Sequence, residues 1–73
     1  MLKETLISPV SGIVAKLYAK NDDLVSENEL ILQIEVMKLF YDVTAGISGK
    51  INLTVTEGQF VQESEELGTI IEE

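Results

Sequence analysis

Apolar and polar residues alternate along residues 50–56. The apolar members of this run are Ile51, Leu53 and Val55, and the polar members are Asn52, Thr54 and Thr56. A period of two places the two groups on opposite faces of an extended chain, as in a half-buried β-strand. The run therefore predicts a strand over residues 50–55, with one face in the core and the other in water.

A related pattern lies earlier in the chain. With a one-residue offset, Gly12 aligns with Gly49, and further along Val25 aligns with Val61 at a spacing of about 36 residues. Repeat arrays generally need three or more units to bury their faces. Two units therefore favour a pseudo-symmetric pair, and the β-branched residues that follow Gly12 predict a strand there too.

Turn-forming clusters recur at matching places in the two halves. They occupy residues 21–23 and 57–59, and then residues 26–29 and 63–66. Their Asn, Asp, Gly and Ser residues favour tight turns through backbone freedom and local side-chain hydrogen bonds. Short strands separated by turns at regular spacing predict a small all-β sandwich or barrel.

Residues 30–43 fit two patterns. A helical stripe is formed by Leu30, Ile34, Met37 and Tyr41. The segment is also rich in β-branched residues, which favours a hairpin with its turn near Met37 and Lys38. Two-residue hairpin turns prefer Asn-Gly or Asp-Gly because both central residues take positive φ. Met-Lys breaks this local rule, and such exceptions often have a functional reason.

The composition excludes most self-contained chemistry. The chain has no histidine and no cysteine, which removes the usual zinc and haem ligands, the thiol nucleophile and the imidazole base. Thirteen acidic residues against five lysines give a net charge of −8, which opposes binding to nucleic acid. Residues 1–5 start no membrane segment or signal peptide, so a cytoplasmic setting is the default expectation.

The length of 73 residues predicts one small domain over residues 1–73, with halves at about 8–38 and 44–73. Within it we interpret Leu32, Ile34 and Val43 as core residues. Other assignments are structural as well. Close backbone approach or positive φ is expected at Gly12, Gly49 and Gly58, an edge-strand or turn position at Pro9, and a plain exposed acid at Asp42.

Lys38 is the one cation within residues 32–43. A lysine on a turn is most often a solubilising surface charge. Its neighbours Met37, Leu39 and Phe40 would nevertheless expose apolar area at the tip, which predicts that another molecule docks there. A free lysine amine is protonated in water and is a weak nucleophile. Acylation of Lys38 would therefore require another protein to activate the acyl group.

Four stretches of the sequence resemble one family over nearly the whole chain. "EVMKL" at residues 35–39 looks like the Glu-Ala-Met-Lys-Met signature of biotinyl domains, in the biotinyl/lipoyl attachment family. "SPVSGIV" at 8–14 and "AGISGKI" at 45–51 resemble the opening strands of the two halves, and "EGQFVQESEEL" at 57–67 resembles the closing turn and strand. The resemblance implies a flattened β-barrel of two four-stranded antiparallel sheets with quasi-twofold symmetry, a barrel-sandwich hybrid.

Lys38 matches the lysine that carries biotin in this family, so the resemblance implies covalent biotin there. Glu35, Val36, Met37 and Leu39 are the motif flanks, and Glu35 is either a solvated charge or a recognition element for the ligase. Val36 replaces the usual alanine and Leu39 the usual methionine, although leucine also resembles some acetyl-CoA carboxylase carriers. The chain also lacks the extra loop, or thumb, of some bacterial carriers.

The implied function is that of a biotin carboxyl carrier rather than an enzyme. Biotin protein ligase would attach the cofactor, and the flexible arm would shuttle a carboxyl group between biotin carboxylase and carboxyltransferase sites. A chain with no arginine and no glycine-rich phosphate loop is poorly equipped for ATP-dependent carboxylation. The sequence therefore predicts that partner subunits or domains perform that chemistry.

Two other functions are compatible with the same fold. Lipoyl carrier domains of 2-oxoacid dehydrogenase-type complexes also acylate a hairpin lysine, but they commonly have an acidic residue where this chain has Met37. Unmodified barrel-sandwich domains of membrane-fusion adaptors usually have a long helical insertion between their halves, whereas residues 38–44 connect the halves directly here. Acyl carrier proteins are excluded because no Asp-Ser-Leu motif occurs.

Overall fold

Strands form where the sequence places β-branched and alternating apolar residues between turns. The computed structural model describes all 73 residues and has eight strands and no helix. In chain order the strands are β1 (Lys3–Ile7), β2 (Gly12–Leu17), β3 (Leu24–Val25), β4 (Leu30–Val36), β5 (Leu39–Thr44), β6 (Gly49–Leu53), β7 (Phe60–Val61) and β8 (Glu66–Ile71).

The strands form two four-stranded sheets in which every pairing is antiparallel. The first sheet has the order β1-β8-β6-β3 and the second has the order β5-β4-β2-β7. The early strands β1 and β3 lie in the sheet of β6 and β8, while the late strand β7 lies beside β2. This exchange interlocks the two halves and confirms the predicted all-β architecture of two four-stranded antiparallel sheets.

The core lies between the inner faces of the two sheets. It contains 15 buried apolar residues, and the alternation of β6 gives a buried Ile51 and Leu53 beside an exposed Asn52. The three core residues predicted in the hairpin are all buried. These residues are Leu32, Ile34 and Val43.

The internal repeat appears as two pairs of equivalent turns. Asp22 and Gly58 have φ of 74° and 88°, and Asn28 and Ser64 both have φ of 72°. Each pair is separated by the 36 residues of the sequence repeat. The predicted turn clusters are therefore confirmed, and in each of the two halves they place a residue in the left-handed region that Asn, Asp and Gly tolerate best.

Side-chain oxygens hold the equivalent turns in the same way. The backbone N–H of Ser26 donates to Glu29 Oε1 at 2.9 Å, and that of Gln62 donates to Glu65 Oε1 at 2.8 Å. Neighbouring bonds repeat as well: Glu27 N–H donates to Ser48 Oγ and Glu63 N–H to Ser11 Oγ. The pseudo-symmetry thus extends from the strand order to individual hydrogen bonds.

Two glycines allow close approach of strands at equivalent places. A Cβ added to Gly12 would lie 2.5 Å from the carbonyl oxygen of Glu35, and one added to Gly49 would overlap the carbonyl of Ile71. Both glycines therefore have the structural role expected from the sequence. Gly58 has the predicted positive φ, and Pro9 lies in the bend between β1 and β2.

The strand predicted over residues 50–55 is correct in position but too long. β6 ends at Leu53, where its ladder with β8 ends at the Leu53–Gly68 pair. Val55 is still buried, as its alternation predicts. The backbone of Thr54 instead donates to the carbonyl of Leu67 at 3.0 Å, so the apolar alternation continues beyond the regular pairing.

Residues 30–43 form the predicted hairpin and not the alternative helix. β4 and β5 pair from Leu30–Thr44 to Val36–Leu39, with an irregularity between Leu30 and Leu32.

The structure contains no helix that could span a membrane.

Candidate functional site

Met37 and Lys38 form the two-residue turn at the tip of the β4–β5 hairpin. Val36 and Leu39 are the last residues that pair across the hairpin. Met37 has φ of 51° and Lys38 has φ of 68°, which is the positive-φ pair that tight two-residue turns require. Lys38 is exposed, and Met37 is 91% exposed. The turn therefore projects the lysine amine away from the body of the protein.

The tip conformation is unfavourable for its own residues. For a residue with a Cβ, the left-handed region costs roughly 1–2 kcal/mol, whereas asparagine enters it more readily. The long pairing of β4 with β5 offsets this cost by holding both ends of the turn in register. The lysine is thus displayed by a strained turn that the surrounding sheet maintains.

We expect Met37→Asn to stabilise the protein by about 0.5–1 kcal/mol, because asparagine tolerates the positive φ of the turn. Urea unfolding monitored by circular dichroism measures the change. Asp42→Asn, a control in the β5 ladder, has no positive φ to relieve. A lower unfolding free energy for Met37→Asn would show that the turn is not strained in this way.

The motif residues beside the lysine face in different directions. Val36 is half-buried and packs against the core, and Leu39 lies directly opposite it on the same side of the sheet. Glu35 is half-buried on the outer face, opposite Phe40. The predicted flanks therefore do not form one surface: Glu35 lies on the outer face, Met37 is exposed at the turn, and Val36 supports the hairpin from within.

Besides the Glu35 carbonyl, the Val36 side chain lies close to Gly12 on the adjacent strand. A Cβ added to Gly12 would lie 2.7 Å from Cγ2 of Val36 and 2.9 Å from Cγ2 of Ile34. The branched side chain at position 36, which replaces the alanine of the family signature, therefore occupies space that Gly12 leaves open. The bulk added by this departure is accommodated inside the sheet and does not reach the exposed turn.

A hydrogen-bonded chain crosses the outer face of the second sheet one row farther from the tip. Gln33 Nε2 donates to Asp42 Oδ1 at 2.9 Å, and the hydroxyl of Tyr18 donates to Gln33 Oε1 at 3.0 Å. The ammonium of Lys16 lies 5.1 Å from the centre of the Tyr18 ring, within the range of a cation–π contact. These hydrogen bonds link Tyr18, the residue after β2, to β4 and β5 and so brace the hairpin.

This network corrects the prediction for Asp42. Asp42 is exposed, as expected, but it is not a plain surface acid because it accepts a hydrogen bond from the Gln33 side chain. The sequence contained the signal: residues equally distant from a two-residue turn face each other in a hairpin. A turn at Met37 and Lys38 therefore places Gln33 opposite Asp42, as observed.

The lysine lies outside the two surface clefts of the protein. One cleft is bounded by residues near the chain ends, including Leu2, Leu24 and Glu72. The other lies between Leu17 and Thr56. A primary amine on a protruding turn is suited to modification by another protein and to presenting the attached group to another active site.

Comparison with known proteins places this geometry in a family. Residues 3–73 match the family model described as "RND MFP, barrel-sandwich hybrid domain". The solved lipoyl domain of the 2-oxoglutarate dehydrogenase complex from Azotobacter vinelandii superposes with a TM-score of 0.77 and 30% identity, covering 94% of this chain and 98% of that one. The chain belongs to the biotinyl/lipoyl attachment family of barrel-sandwich hybrid domains. Its fold therefore has counterparts in this family.

Three curated proteins are similar to this barrel-sandwich hybrid domain in sequence. Mouse mitochondrial propionyl-CoA carboxylase alpha chain is 40% identical, over 84% of this chain and 9% of its own length. The biotin carboxyl carrier protein of Streptococcus mutans is 33% identical, over 90% and 52%. The dihydrolipoyllysine-residue succinyltransferase component of the 2-oxoglutarate dehydrogenase complex from Rickettsia conorii is 42% identical, over 89% and 17%. The domain thus spans about half or less of each relative, and the resemblance to biotinyl domains is confirmed.

Proposed function

We propose that this barrel-sandwich hybrid domain is a biotin carboxyl carrier, with biotin attached through an amide bond to the ε-amine of Lys38. The observation that carries the proposal is the position of Lys38 at the apex of an exposed two-residue turn, preceded by Met37. The similarity to a biotin carboxyl carrier protein and to carboxylase alpha chains supports it.

The site fits a covalently attached group. An exposed amine at a tight turn can be acylated without opening the core, and its arm can then move freely. When bound, biotin supplies a ureido ring that accepts and releases a carboxyl group. The protein residues hold the attachment point: Val36 packs inward, Met37 and Leu39 flank the lysine, and Glu35 marks the outer face for recognition.

The proposed role is carriage without catalysis by this chain. Covalent attachment keeps the arm at a high effective concentration near both partner sites, so each encounter can remain weak. We propose biotin protein ligase as the modifying enzyme, and biotin carboxylase and carboxyltransferase subunits or domains as the users of the arm. Residues 1–73 would then form a single attachment domain that works in the cytoplasm.

A lipoyl carrier is the second candidate, because a lipoyl-bearing relative is 42% identical and a solved lipoyl domain shares the fold. Met37 is the residue that favours biotin over lipoyl. An unmodified structural role is suggested by the matched family model. Against it stands the direct connection of β4 to β5 by two residues, which leaves no room for a helical insertion.

Co-expression with a biotin ligase and, separately, with a lipoyl ligase tests the function. We expect intact-mass analysis to show one biotinyl group per chain with the first enzyme and no lipoyl group with the second. A known biotinyl domain and a known lipoyl domain provide the positive controls. Modification by the lipoyl ligase alone would show that the protein is a lipoyl carrier. An unmodified chain in both cultures would favour the structural role.

A further inference from the structure

Each sheet has two edge strands, and three of these four strands are protected against pairing with another chain. The edges are β1 and β3 in the first sheet and β5 and β7 in the second. β3 and β7 are two residues long, and β1 carries the charges of Lys3 and Glu4. Short edge strands and charged side chains are common devices against edge-to-edge pairing. β5 is six residues long and has one charged residue, Asp42, so it is the least protected edge.

Large side chains are exposed along β5 where its pseudo-symmetric counterpart β1 is charged. Leu39, Phe40 and Tyr41 are 62%, 56% and 38% exposed. The equivalent positions of β1 hold Lys3 and Glu4 in place of the two aromatic residues. The shared backbone therefore accommodates charges at the two positions where β5 exposes aromatic rings.

The one charge of β5 is held away from its free edge. Asp42 Oδ1 accepts a hydrogen bond of 2.9 Å from Gln33 Nε2. Gln33 lies on β4, the strand next to β5 inside the sheet. The carboxylate is therefore drawn toward the sheet, which leaves the free edge of β5 open to another backbone.

The backbone groups of Phe40 and Asp42 point toward this free edge. In a hairpin with a two-residue turn, the residues that flank the turn exchange both N–H···O bonds, and hydrogen-bonded and non-hydrogen-bonded pairs then alternate. Val36 and Leu39 flank the turn here, so Phe40 and Asp42 fall in non-hydrogen-bonded pairs with β4. No backbone hydrogen bond outside the strand ladders involves either residue. Their N–H and C=O groups are therefore free to pair with a further strand.

A second copy of β5 can satisfy these groups in one register. Phe40 of each copy then lies opposite Asp42 of the other and exchanges both N–H···O bonds with it. Tyr41 meets Tyr41 of the second copy on the twofold axis. A shift of two residues in one direction would set the two Asp42 carboxylates opposite each other, which is destabilising. The same shift in the other direction would leave only residues 39–41 of each strand paired.

We propose that the protein forms a twofold homodimer in which β5 pairs antiparallel with β5 of a second copy, with Tyr41 on the axis. The second sheets of the two copies then join into one continuous sheet, which covers the large side chains at the edge. The occupant is a second copy because the edge is complementary to itself: each Asp42 meets an aromatic ring and not a like charge. The proposal concerns the assembly of the chain and does not depend on the group that Lys38 carries.

The dimer directs the two lysine-bearing turns toward opposite ends of the shared sheet. Lys38 is three residues from Tyr41 in the sequence, or about 10 Å along an extended strand. The two lysines therefore lie about 20 Å apart along the strand direction, one on each side of the axis. Groups attached to them would serve opposite ends of the dimer.

Sedimentation equilibrium of the full chain tests the association. The net charge of −8 on each copy opposes it, so the dimer should be strongest in about 0.5 M NaCl, where the charges are screened. We expect Phe40→Pro to raise the dimer dissociation constant at least about tenfold, because proline removes an outward N–H donor and is tolerated on edge strands. Lys3→Pro is the matched control at the equivalent position of β1, and it should change the constant less than about twofold.

Disulfide cross-linking tests the register. The chain has no cysteine, so Tyr41→Cys introduces a single thiol. In the proposed dimer the two copies of this position form a non-hydrogen-bonded pair with Cα atoms about 4.5 Å apart, which a disulfide can bridge. The control is Asp42→Cys, whose two copies are offset by two residues and lie about 8 Å apart, beyond that reach. With oxidised glutathione, we expect Tyr41→Cys to cross-link at least about tenfold faster.

Four results would overturn the proposal. The first is a wild-type chain that sediments as a monomer at concentrations up to about 1 mM. The second is a dissociation constant that Phe40→Pro leaves unchanged, and the third is one that Lys3→Pro raises equally. The fourth is cross-linking of Asp42→Cys at the rate of Tyr41→Cys or faster. Far-ultraviolet circular dichroism establishes that the proline variants are folded, and the cross-linking test stands without them.

Discussion

Lys38→Arg is expected to abolish biotin attachment while the protein remains folded. Arginine retains the positive charge and the length of the side chain, but its guanidinium does not form the amide bond that a primary amine forms. Lys38 is exposed on a turn, and surface substitutions of this kind change the free energy of unfolding by no more than about 0.5 kcal/mol. Streptavidin blotting and intact mass after co-expression with biotin ligase measure the loss.

Lys50→Arg is the matched control, because Lys50 is also exposed and lies in the pseudo-symmetric sheet. It should be biotinylated to the wild-type extent. Biotin attachment retained in Lys38→Arg and lost in Lys50→Arg would move the attachment site to the other half of the molecule.

Ile70→Ala and Ile71→Ala should differ strongly in stability although the residues are adjacent in β8. Ile70 is fully buried between the sheets, whereas Ile71 is 42% exposed on the outer face. Truncation of a buried isoleucine to alanine costs about 2–5 kcal/mol through lost burial and the cavity that remains. A domain of this size has roughly 4–11 kcal/mol of total stability. Ile70→Ala is therefore expected to bring the protein close to unfolding, and Ile71→Ala to cost less than about 1 kcal/mol.

Thermal and urea unfolding of the two variants provide the measurement. Equal losses of stability would contradict the placement of the core between the two sheets. A larger loss for Ile71→Ala would mean that the faces of β8 are reversed, because a shift of one residue in a strand exchanges the buried and exposed sides.

Local patterns predicted the turns and favoured the hairpin, although residues 30–43 also fitted a helical stripe. The alternation around Ile51 predicted which residues of β6 are buried, and the turn at Met37 and Lys38 determined the register of β4 with β5. The burial pattern of β6 and the register of the β4–β5 hairpin both depend on residues that are close together in the sequence. The same register places Gln33 opposite Asp42, so the hydrogen bond between them could have been predicted but was missed.

The arrangement of strands into sheets was not available from local pattern. Ile13 meets Phe60 because β7 pairs with β2, although these strands come from different halves. Such a pairing depends on closing a long loop and on packing both sheets at once, and no turn or alternation specifies it. The family resemblance implied the two-sheet fold, but the alignment of Phe40, Glu35, Ile13 and Phe60 across the second sheet depends on the register of all four of its strands.

Because the two halves are pseudo-symmetric, each position in one half can be compared with its equivalent in the other. Gly12 and Gly49, and the turns at Asn28 and Ser64, serve the same structural purpose in both halves. Where equivalent exposed positions differ, the shared backbone accommodates both side chains. One such difference is that Phe40 and Ile13, on the sheet whose hairpin presents Lys38, stand where the other sheet has Lys3 and Lys50.

The central claim is that this domain carries biotin on Lys38. The most direct measurement is tandem mass spectrometry of peptides from the wild-type chain after reaction with biotin ligase, biotin and ATP. The five lysines of the sequence give five candidate sites, and we expect all of the biotin on the peptide that contains Lys38. Biotin on another lysine, or a chain left unmodified while a known biotinyl domain is labelled in the same reaction, would contradict the claim.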